Sequence, residues 1–412
     1  MPHIPLKNLQ LSGKSREGSY KMSVIGIVSE FNPFHNGHKY LIDSVRKDGD
    51  TVVCVMSGNF VQRAEPSLFT KQTKTRTALA GGIDAVLELP FLYAVGSTEC
   101  FAENAVRILC EFGCDSIAFG VEDGNRDAII NAAVTLGSPE FCERVEKYLC
   151  QNESFPAARQ KAFSDFGINF DLSLPNNILA VAYTKAVIKN YPDVKIIPVK
   201  RKNAAHDTDE MKDGFTSASN IRKMITENNG FSAFVPANVN EILSSAVSSG
   251  EYCDYEKYSL LLMSELRKRK EEYFRKTAYM TEELFNRVIK YAGSALNATE
   301  LFEILKTKRY THSRIRRAVL CSYFGITNDD IKIPAPYVRV LGFKQDKINV
   351  YRSLVSASGL PVAVSYRDFE KIGSAGADRV FSLEAKASDI HSIILKNPRP
   401  SGTEESFKII KE

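Results

Sequence analysis

Apolar residues in the first half of the chain gather into five short runs: Val24–Val28, Thr51–Met56, Ala85–Leu89, Ser116–Phe119 and Val194–Val199. Each is rich in β-branched or aliphatic side chains and too short for a helix, which predicts buried strands. Between them the apolar spacing changes to the helical period, predicting helices over Gly37–Lys47, Lys71–Ala80, Ser97–Glu111, Asp127–Leu136, Pro139–Leu149, Pro156–Phe166 and Asn176–Lys189. Strands alternating with helices predict an α/β architecture with a doubly wound, parallel, five-stranded sheet. Such sheets bind ligands beyond the carboxyl ends of their strands, where the strand order reverses beside the first strand.

Past residue 230 the pattern is mostly helical, with helices expected over Glu256–Arg269, Thr281–Tyr291, Thr299–Lys306 and Ser313–Phe324. Two further runs, Tyr337–Leu341 and Pro361–Ser365, read as strands of a small α/β annex. The expected organisation is a polar tail over 1–21, a nucleotide-binding domain over 22–230, a helical domain with its annex over 231–395, and a flexible tail over 396–412 opened by Asn397-Pro-Arg-Pro-Ser-Gly. Met22 reads as the natural start, the preceding segment being basic and without the apolar stretch of a signal peptide.

Composition changes this picture little. At 44% apolar and 25% charged residues, it is that of a globular protein, and no apolar run reaches membrane-spanning length. Eight cysteines lie scattered without a disulfide-framework spacing, so a reducing, cytoplasmic setting is expected. The net charge of +5 matters less than its clustering, because Lys306, Lys308, Arg309, Arg314, Arg316 and Arg317 crowd one short stretch and invite a phosphate-rich partner. A solvated helix face is the plain alternative. Nothing points to a stable protein partner.

The chemistry concentrates in His35-Asn36-Gly37-His38, between the first strand and the first helix. Backbone N–H groups and the positive end of the helix dipole favour phosphate there. Gly37 would let a base or ribose approach, and the two imidazoles would reach the phosphates. Two zinc ligands or two surface histidines are the alternatives, although no Cys-x-x-Cys supplies further zinc ligands. Thr216, Ser217 and Ser219 precede another helix carrying Arg222; one of them caps it, or the cluster forms a second phosphate-facing start. Arg63, Lys71 and Arg201 follow strands and are candidate phosphate ligands or surface ion-pair partners. No P-loop, dinucleotide glycine fingerprint or Gly-x-Ser-x-Gly elbow is present.

Gly26-Ile-Val-Ser-Glu-Phe-Asn-Pro-Phe-His-Asn-Gly-His38 resembles the nucleotidyltransferase superfamily that carries the His-x-Gly-His motif, and Ser217–Arg222 resembles its second motif. Adding Met56-Ser-Gly-Asn-Phe-Val-Gln-Arg63, Glu88-Leu-Pro90, Phe119-Gly120, Pro175-Asn-Asn-Ile-Leu179 and Lys308-Arg-Tyr-Thr311, the chain resembles the tRNA(Met) cytidine acetate ligase family from Met22 to Phe343. The resemblance implies a Rossmann-like fold and a two-step reaction in the cytoplasm. Acetate and ATP would give acetyl-adenylate, which would then acetylate N4 of the wobble cytidine of elongator tRNA(Met). It implies His35 and His38 as catalytic residues. Implied ATP contacts are Val28, Ser29, Glu30, Phe31, Asn32, Pro33, Phe34, His35, Asn36, Gly37, His38, Lys39, Tyr40, Leu41, Gly120, Asn176 and Arg201. Gly120 would clear space for the nucleotide. Asn176 would meet a ribose or base edge, or cap its helix. Arg201 would hold phosphate bidentately. Implied tRNA contacts are Lys308, Arg309, Arg314, Arg316 and Arg317. Mg²⁺ is expected with the triphosphate, with no ligand assigned. A small-molecule adenylyltransferase, acting on a nicotinamide- or pantetheine-type substrate, shares the first-domain chemistry. So would a nucleotide-sensing RNA-binding protein without turnover.

Overall fold

The computed structural model describes residues 22–412 apart from 123, 152, 154, 169, 203–213, 269–273, 275 and 308. The segment 1–21 and Lys308 therefore lie outside the described residues. The strands are β1 (Val24–Ser29), β2 (Thr51–Ser57), β3 (Phe60–Val61), β4 (Glu65–Pro66), β5 (Ala85–Leu89), β6 (Ser116–Val121), β7 (Lys195–Lys200), β8 (Val338–Phe343), β9 (Val362–Ala363) and β10 (Ile410–Lys411). In the main sheet they run β10-β8-β5-β2-β1-β6-β7, with β9 beside β8. The five strands expected from the sequence, β5, β2, β1, β6 and β7, are all parallel to one another. The chain moves outward from β1 through β2 to β5, then returns past β1 to β6 and β7. The reversal opens a crevice at the carboxyl ends of β1 and β6.

Alternate residues of β2 separate the two faces. Val53 and Val55 join one apolar cluster with Phe101, Phe119 and Tyr183, while Val52, Cys54 and Met56 join another with Phe31, Phe34, Ile42 and Ile221. Helices Thr98–Glu111 and Pro175–Asn190 cover the first face, and Asn36–Val45 and Ala218–Thr226 the second. Their starts follow local chemistry: Ser97 accepts the Cys100 N–H, and Thr70 caps Lys71–Ala80 by accepting that of Thr73.

Two expectations for the second half are corrected. The strand of the expected annex does not found a separate layer: β8 pairs antiparallel with β5 and so extends the main sheet. Nor does 396–412 trail away, because β10 pairs with Gly342 and Phe343, Phe407 joins the second apolar cluster, and Glu404 is only 1% exposed.

Glu404 belongs to an ion network sealed inside the protein. Lys71 Nζ contacts Glu88, Glu384 and Glu404, and the Arg339 guanidinium bridges Glu88 and Glu404. The three carboxylates exceed the two cations by one charge. Burial, reinforced by the Glu88 carboxylate, accordingly pushes the Glu384 carboxyl up to about 7. Lys71 is therefore corrected from candidate phosphate ligand to buried partner of three carboxylates, and its side chain is 0% exposed. The Met56–Arg63 motif supports this arrangement: Asn59 Oδ1 accepts the Lys71 N–H at 2.8 Å, and Lys74 Nζ donates to the Ser57 and Gly58 carbonyls at 2.7 and 2.8 Å.

Removing one partner from such a network strands the other charges without water. Lys71→Met and Glu404→Ala should each lower unfolding free energy by about 3–5 kcal/mol, read from urea denaturation midpoints. A drop below about 1 kcal/mol in either would contradict the buried network.

Candidate active site

Between β1 and the first helix the backbone makes an abrupt turn. Phe31 adopts φ +44°, in the left-handed region, and the Asn32–Pro33 peptide is cis. The Phe31 ring, 1% exposed, lies 4.9 Å from the rings of both Phe34 and His38. Asn32 is clamped from two sides: Arg222 Nη1 donates to its carbonyl at 2.8 Å, and its Oδ1 accepts the Leu68 N–H at 2.7 Å. Surrounding contacts thus over-determine the left-handed Phe31 backbone, which would be costly alone.

The turn delivers His35 as N-cap of the helix Asn36–Val45. Its Nδ1 accepts the Gly37 N–H at 3.0 Å, and His38 Nδ1 accepts the His35 N–H at 3.2 Å. The rings stack with centroids 3.8 Å apart and planes 26° from parallel. A nitrogen that accepts a hydrogen bond carries no proton, so each neutral ring has its proton on Nε2. Burial, then the Arg201 and Arg222 charges, lower the His35 pKa to about 3. Burial and the neighbouring His35 hold His38 well below its usual value too. Both rings are therefore neutral Nε2–H donors at ordinary pH. The amides expected to meet phosphate directly are in part taken by the imidazoles, which present a donor on their other side instead.

Gly37 has a role in the cap itself. A Cβ there would lie 2.8 Å from His35 Cε1, so the glycine makes room for the capping ring. Asn36 also faces elsewhere, its Nδ2 donating to the carbonyls of Gly214 at 2.8 Å and Ala233 at 3.1 Å.

A second helix start borders the same cleft. Ser217 caps Ala218–Thr226 by accepting the Asn220 N–H at 3.1 Å, and Asn220 Nδ2 donates to Thr216 Oγ1 at 2.9 Å. Capping and cleft-lining are thus both true of this cluster, since Thr216, Ser217 and Ser219 line the cavity.

The cleft encloses about 290 Å³. Of the expected nucleotide contacts, Val28, Ser29, Glu30, Phe31, Asn32, His35, Gly37, His38, Tyr40, Leu41, Gly120, Asn176 and Arg201 line it. Pro33, Phe34, Asn36 and Lys39 do not; Lys39 pairs outside with Asp43. Asn176 is the second residue of its helix, so it does not stand at the N-cap position, which Leu174 occupies without a side-chain capping bond. Its Nδ2 donates to Glu122 Oε1 at 2.7 Å, and Arg201 Nε lies 3.8 Å from that same oxygen. Glu122, which sequence reasoning missed, thus orients both. Gly120 leaves space filled in part by the Arg201 stem, whose Cγ would sit 3.5 Å from an added Cβ. Lys202, over the rings of Tyr40 and Phe215 at 5.7 and 5.8 Å, and Arg63 complete the cationic frame. Ser29 Oγ is buried in this wall without a protein partner. Among the described residues no group of three His, Cys, Asp or Glu could hold a metal, so the expected Mg²⁺ finds no protein cage.

The basic stretch divides into different fates. Arg309 is exposed and pairs with Glu283 at 2.7 Å, and the Arg314 guanidinium lies 5.1 Å from the Tyr310 ring centre. Arg316 is half-buried against Glu65. Arg317 is corrected: it is buried, its Nε donating to the Val95 carbonyl at 2.9 Å and its Nη2 to that of Gln62 at 3.1 Å. On helix His312–Phe324 it points inward, satisfying backbone carbonyls that would otherwise be orphaned, and it is unavailable to RNA.

Two tests follow from the cap. Gly37→Ala should displace the His35 ring and weaken binding of an ATP analogue about tenfold, by calorimetry, whereas an unchanged affinity would contradict this packing. Folding stability should also carry the signature of a histidine kept neutral. With 6.5 as its ordinary value and about 3 when folded, the His35 contribution is present above pH 6.5 and lost as pH falls towards 3. His35→Asn, which retains a cap, should flatten the acid limb of a stability–pH curve; an identical limb would refute the depressed pKa.

A family profile described as HIGH Nucleotidyl Transferase matches residues 22–406. The tRNA(Met) cytidine acetate ligase of Acetivibrio thermocellus is 34% identical over 413 residues, covering 94% of this chain and 100% of the relative. That of Thermoanaerobacter sp. is 33% identical over 405 residues, covering 95% and 100%. The crystal structure of apo Thermotoga maritima TmcAL superimposes with a TM-score of 0.89 at 28% identity, covering 95% of this chain and 99% of that one. The same protein bound with alpha-thio ATP gives 0.87 at 28% identity over the same shares. Matched along nearly its whole length in sequence and in fold, the chain belongs to the HIGH nucleotidyl transferase family, among the tRNA(Met) cytidine acetate ligases.

Proposed function

We infer that this protein is an ATP-dependent ligase that activates acetate as acetyl-adenylate and transfers the acetyl group to N4 of the wobble cytidine of elongator tRNA(Met). The observation that carries the reading is the stacked pair of Nε2–H donors at one helix start, sharing a cleft with Arg201, Arg222 and a second helix start. A triphosphate at this switch point meets donors and positive potential from several directions. The full-length likeness to ligases of that name, and to TmcAL bound with alpha-thio ATP, supports ATP as its occupant.

In the first step an acetate oxygen attacks the α-phosphorus and pyrophosphate leaves. Negative charge grows on the phosphoryl oxygens and the leaving group, so positioning and preorganised donors do most of the work. The neutral imidazoles donate from Nε2 to phosphate, Arg201 offers a planar fork held by Glu122, and Lys202 and Arg222 add charge. The apolar rings of Phe119 and Tyr183, 5.7 Å apart, are placed to take a base or ribose. Magnesium would ride on phosphate oxygens, supplying further charge neutralisation.

In the second step the cytidine amine takes the acetyl group and AMP leaves. Exposed Arg309 and partly buried Arg314 supply phosphate contacts for the RNA, in place of the larger set including Arg317. All eight cysteines are free, which suits a reducing cytoplasm, and among the described residues no helix is long and apolar enough to cross a membrane.

Labelled acetate, ATP and unmodified tRNA, incubated with the protein and digested to nucleosides, should give label in N4-acetylcytidine. His38→Ala should reduce that yield at least about 100-fold, the cost typical of losing a donor to developing negative charge. Unlabelled RNA with AMP transferred to a small phosphate ester would overturn the assignment.

A further inference from the structure

Acetyl transfer, on the reading just given, leaves a proton to be placed. The cytosine N4 attacks the carbonyl carbon of acetyl-adenylate, a C–N bond forms, and the bond from that carbon to the phosphate oxygen breaks, with AMP leaving on its electron pair. The nitrogen enters with two hydrogens and must give up one. The imidazoles cannot take it, because each Nδ1 already accepts a backbone N–H and each Nε2 facing the cleft is protonated. Arg63, Lys200, Arg201, Lys202 and Arg222 are cations. Among the described lining residues, two carboxylates remain, Glu30 and Glu65.

The two are held differently. Glu30 follows β1 directly, and its Oε1 is engaged by the Gln62 N–H at 2.6 Å. Glu65 stands on β4, in the β3–β4 hairpin that meets the helical half of the chain. Helix His312–Phe324 docks on that hairpin: Arg316 pairs with Glu65, Arg317 reaches the Gln62 carbonyl, and the rings of Phe60 and Phe324 lie 5.6 Å apart. The Glu65 side chain is 23% exposed and lines the cleft, so one carboxylate faces both the nucleotide site and the RNA-binding half.

We propose that Glu65 receives the N4–H of the incoming cytidine and accepts its proton during acetyl transfer. A carboxylate is the natural acceptor for the cytosine exocyclic amine, and it repels the carbonyl oxygen that uridine carries at the same position. An ordinary carboxylate is basic enough, since the N-protonated tetrahedral adduct is far more acidic than a carboxylic acid. Arg316 holds the Glu65 carboxylate in place until the base arrives. Glu65 is thereby both the base-discriminating and the proton-accepting group of the second step.

The test separates the two half-reactions. Acetyl-adenylate formation is followed by acetate-dependent exchange of labelled pyrophosphate into ATP, and transfer by single-turnover acetylation of tRNA. Glu65→Gln should lower the transfer rate constant at least about 100-fold, within the usual range for general-base loss, while exchange and tRNA affinity stay within about threefold. Parent transfer should carry an acid limb that Glu65→Gln lacks and Glu65→Asp partly restores. Parental transfer by Glu65→Gln would hand the proton to the adenylate phosphate and overturn the proposal. Loss of the limb in Glu30→Gln but not in Glu65→Gln would overturn it in favour of Glu30, and joint loss of exchange and transfer in folded Glu65→Gln would make Glu65 part of the ATP site. If the unaltered protein performs neither half-reaction, the ligase assignment itself falls.

Discussion

The start of the helix Asn36–Val45 is closed by imidazole rather than by hydroxyl or carboxylate, and the rest of the site depends on that closure. A serine or aspartate would satisfy the same amides. It would not carry an N–H on the far side of the ring. By accepting at Nδ1, His35 and His38 move the donor capacity of a helix start outward by the width of a ring, into the cleft. Stacking fixes their mutual orientation, and proximity to Arg201 and Arg222 adds to burial in keeping His35 neutral. The site is thus a set of donors already aimed, with little reorganisation left for the moment of reaction.

Several features elsewhere become intelligible as supports of this closure. Phe31 and the Arg222–Asn32 contact hold the turn that presents the rings, and Gly37 is needed because a methyl group would strike His35. Glu122 does for Asn176 and Arg201 what the cap does for the histidines. The β3–β4 hairpin ties this frame to the helical half, and the Lys71–Glu88–Glu384–Glu404–Arg339 network ties both to the closing segment of the chain. The Met56–Arg63 motif serves both purposes, its first residues supporting buried lysines and its last ones lining the cleft.

The parts of this design that depend on neighbours in sequence were legible there. Five apolar runs became five parallel strands, and the strand, turn and helix around His35–His38 border the cleft. Charged residues were harder, because a lysine or arginine at a helix start looks the same whether it meets water, phosphate or a distant carboxylate. Lys71 and Glu384 are separated by 313 positions, and Arg317 and Val95 by 222. No local pattern reports such pairings. The closing segment misled for the same reason: Pro, Gly and Ser there suggest mobility, while Glu404 and Phe407 find partners across the fold. Glu65 and Glu122 offered no signal beyond lying beside recognisable motifs.

The central claim is that the Nε2 atoms of His35 and His38 hold the phosphates of ATP. A crystal structure of the protein with a non-hydrolysable ATP analogue tests it most directly. The account requires phosphate oxygens within hydrogen-bonding distance of both Nε2 atoms, with Arg201 on the same chain of phosphates. Analogue density outside the crevice between β1 and β6, or inside it with both imidazoles turned away, would contradict it.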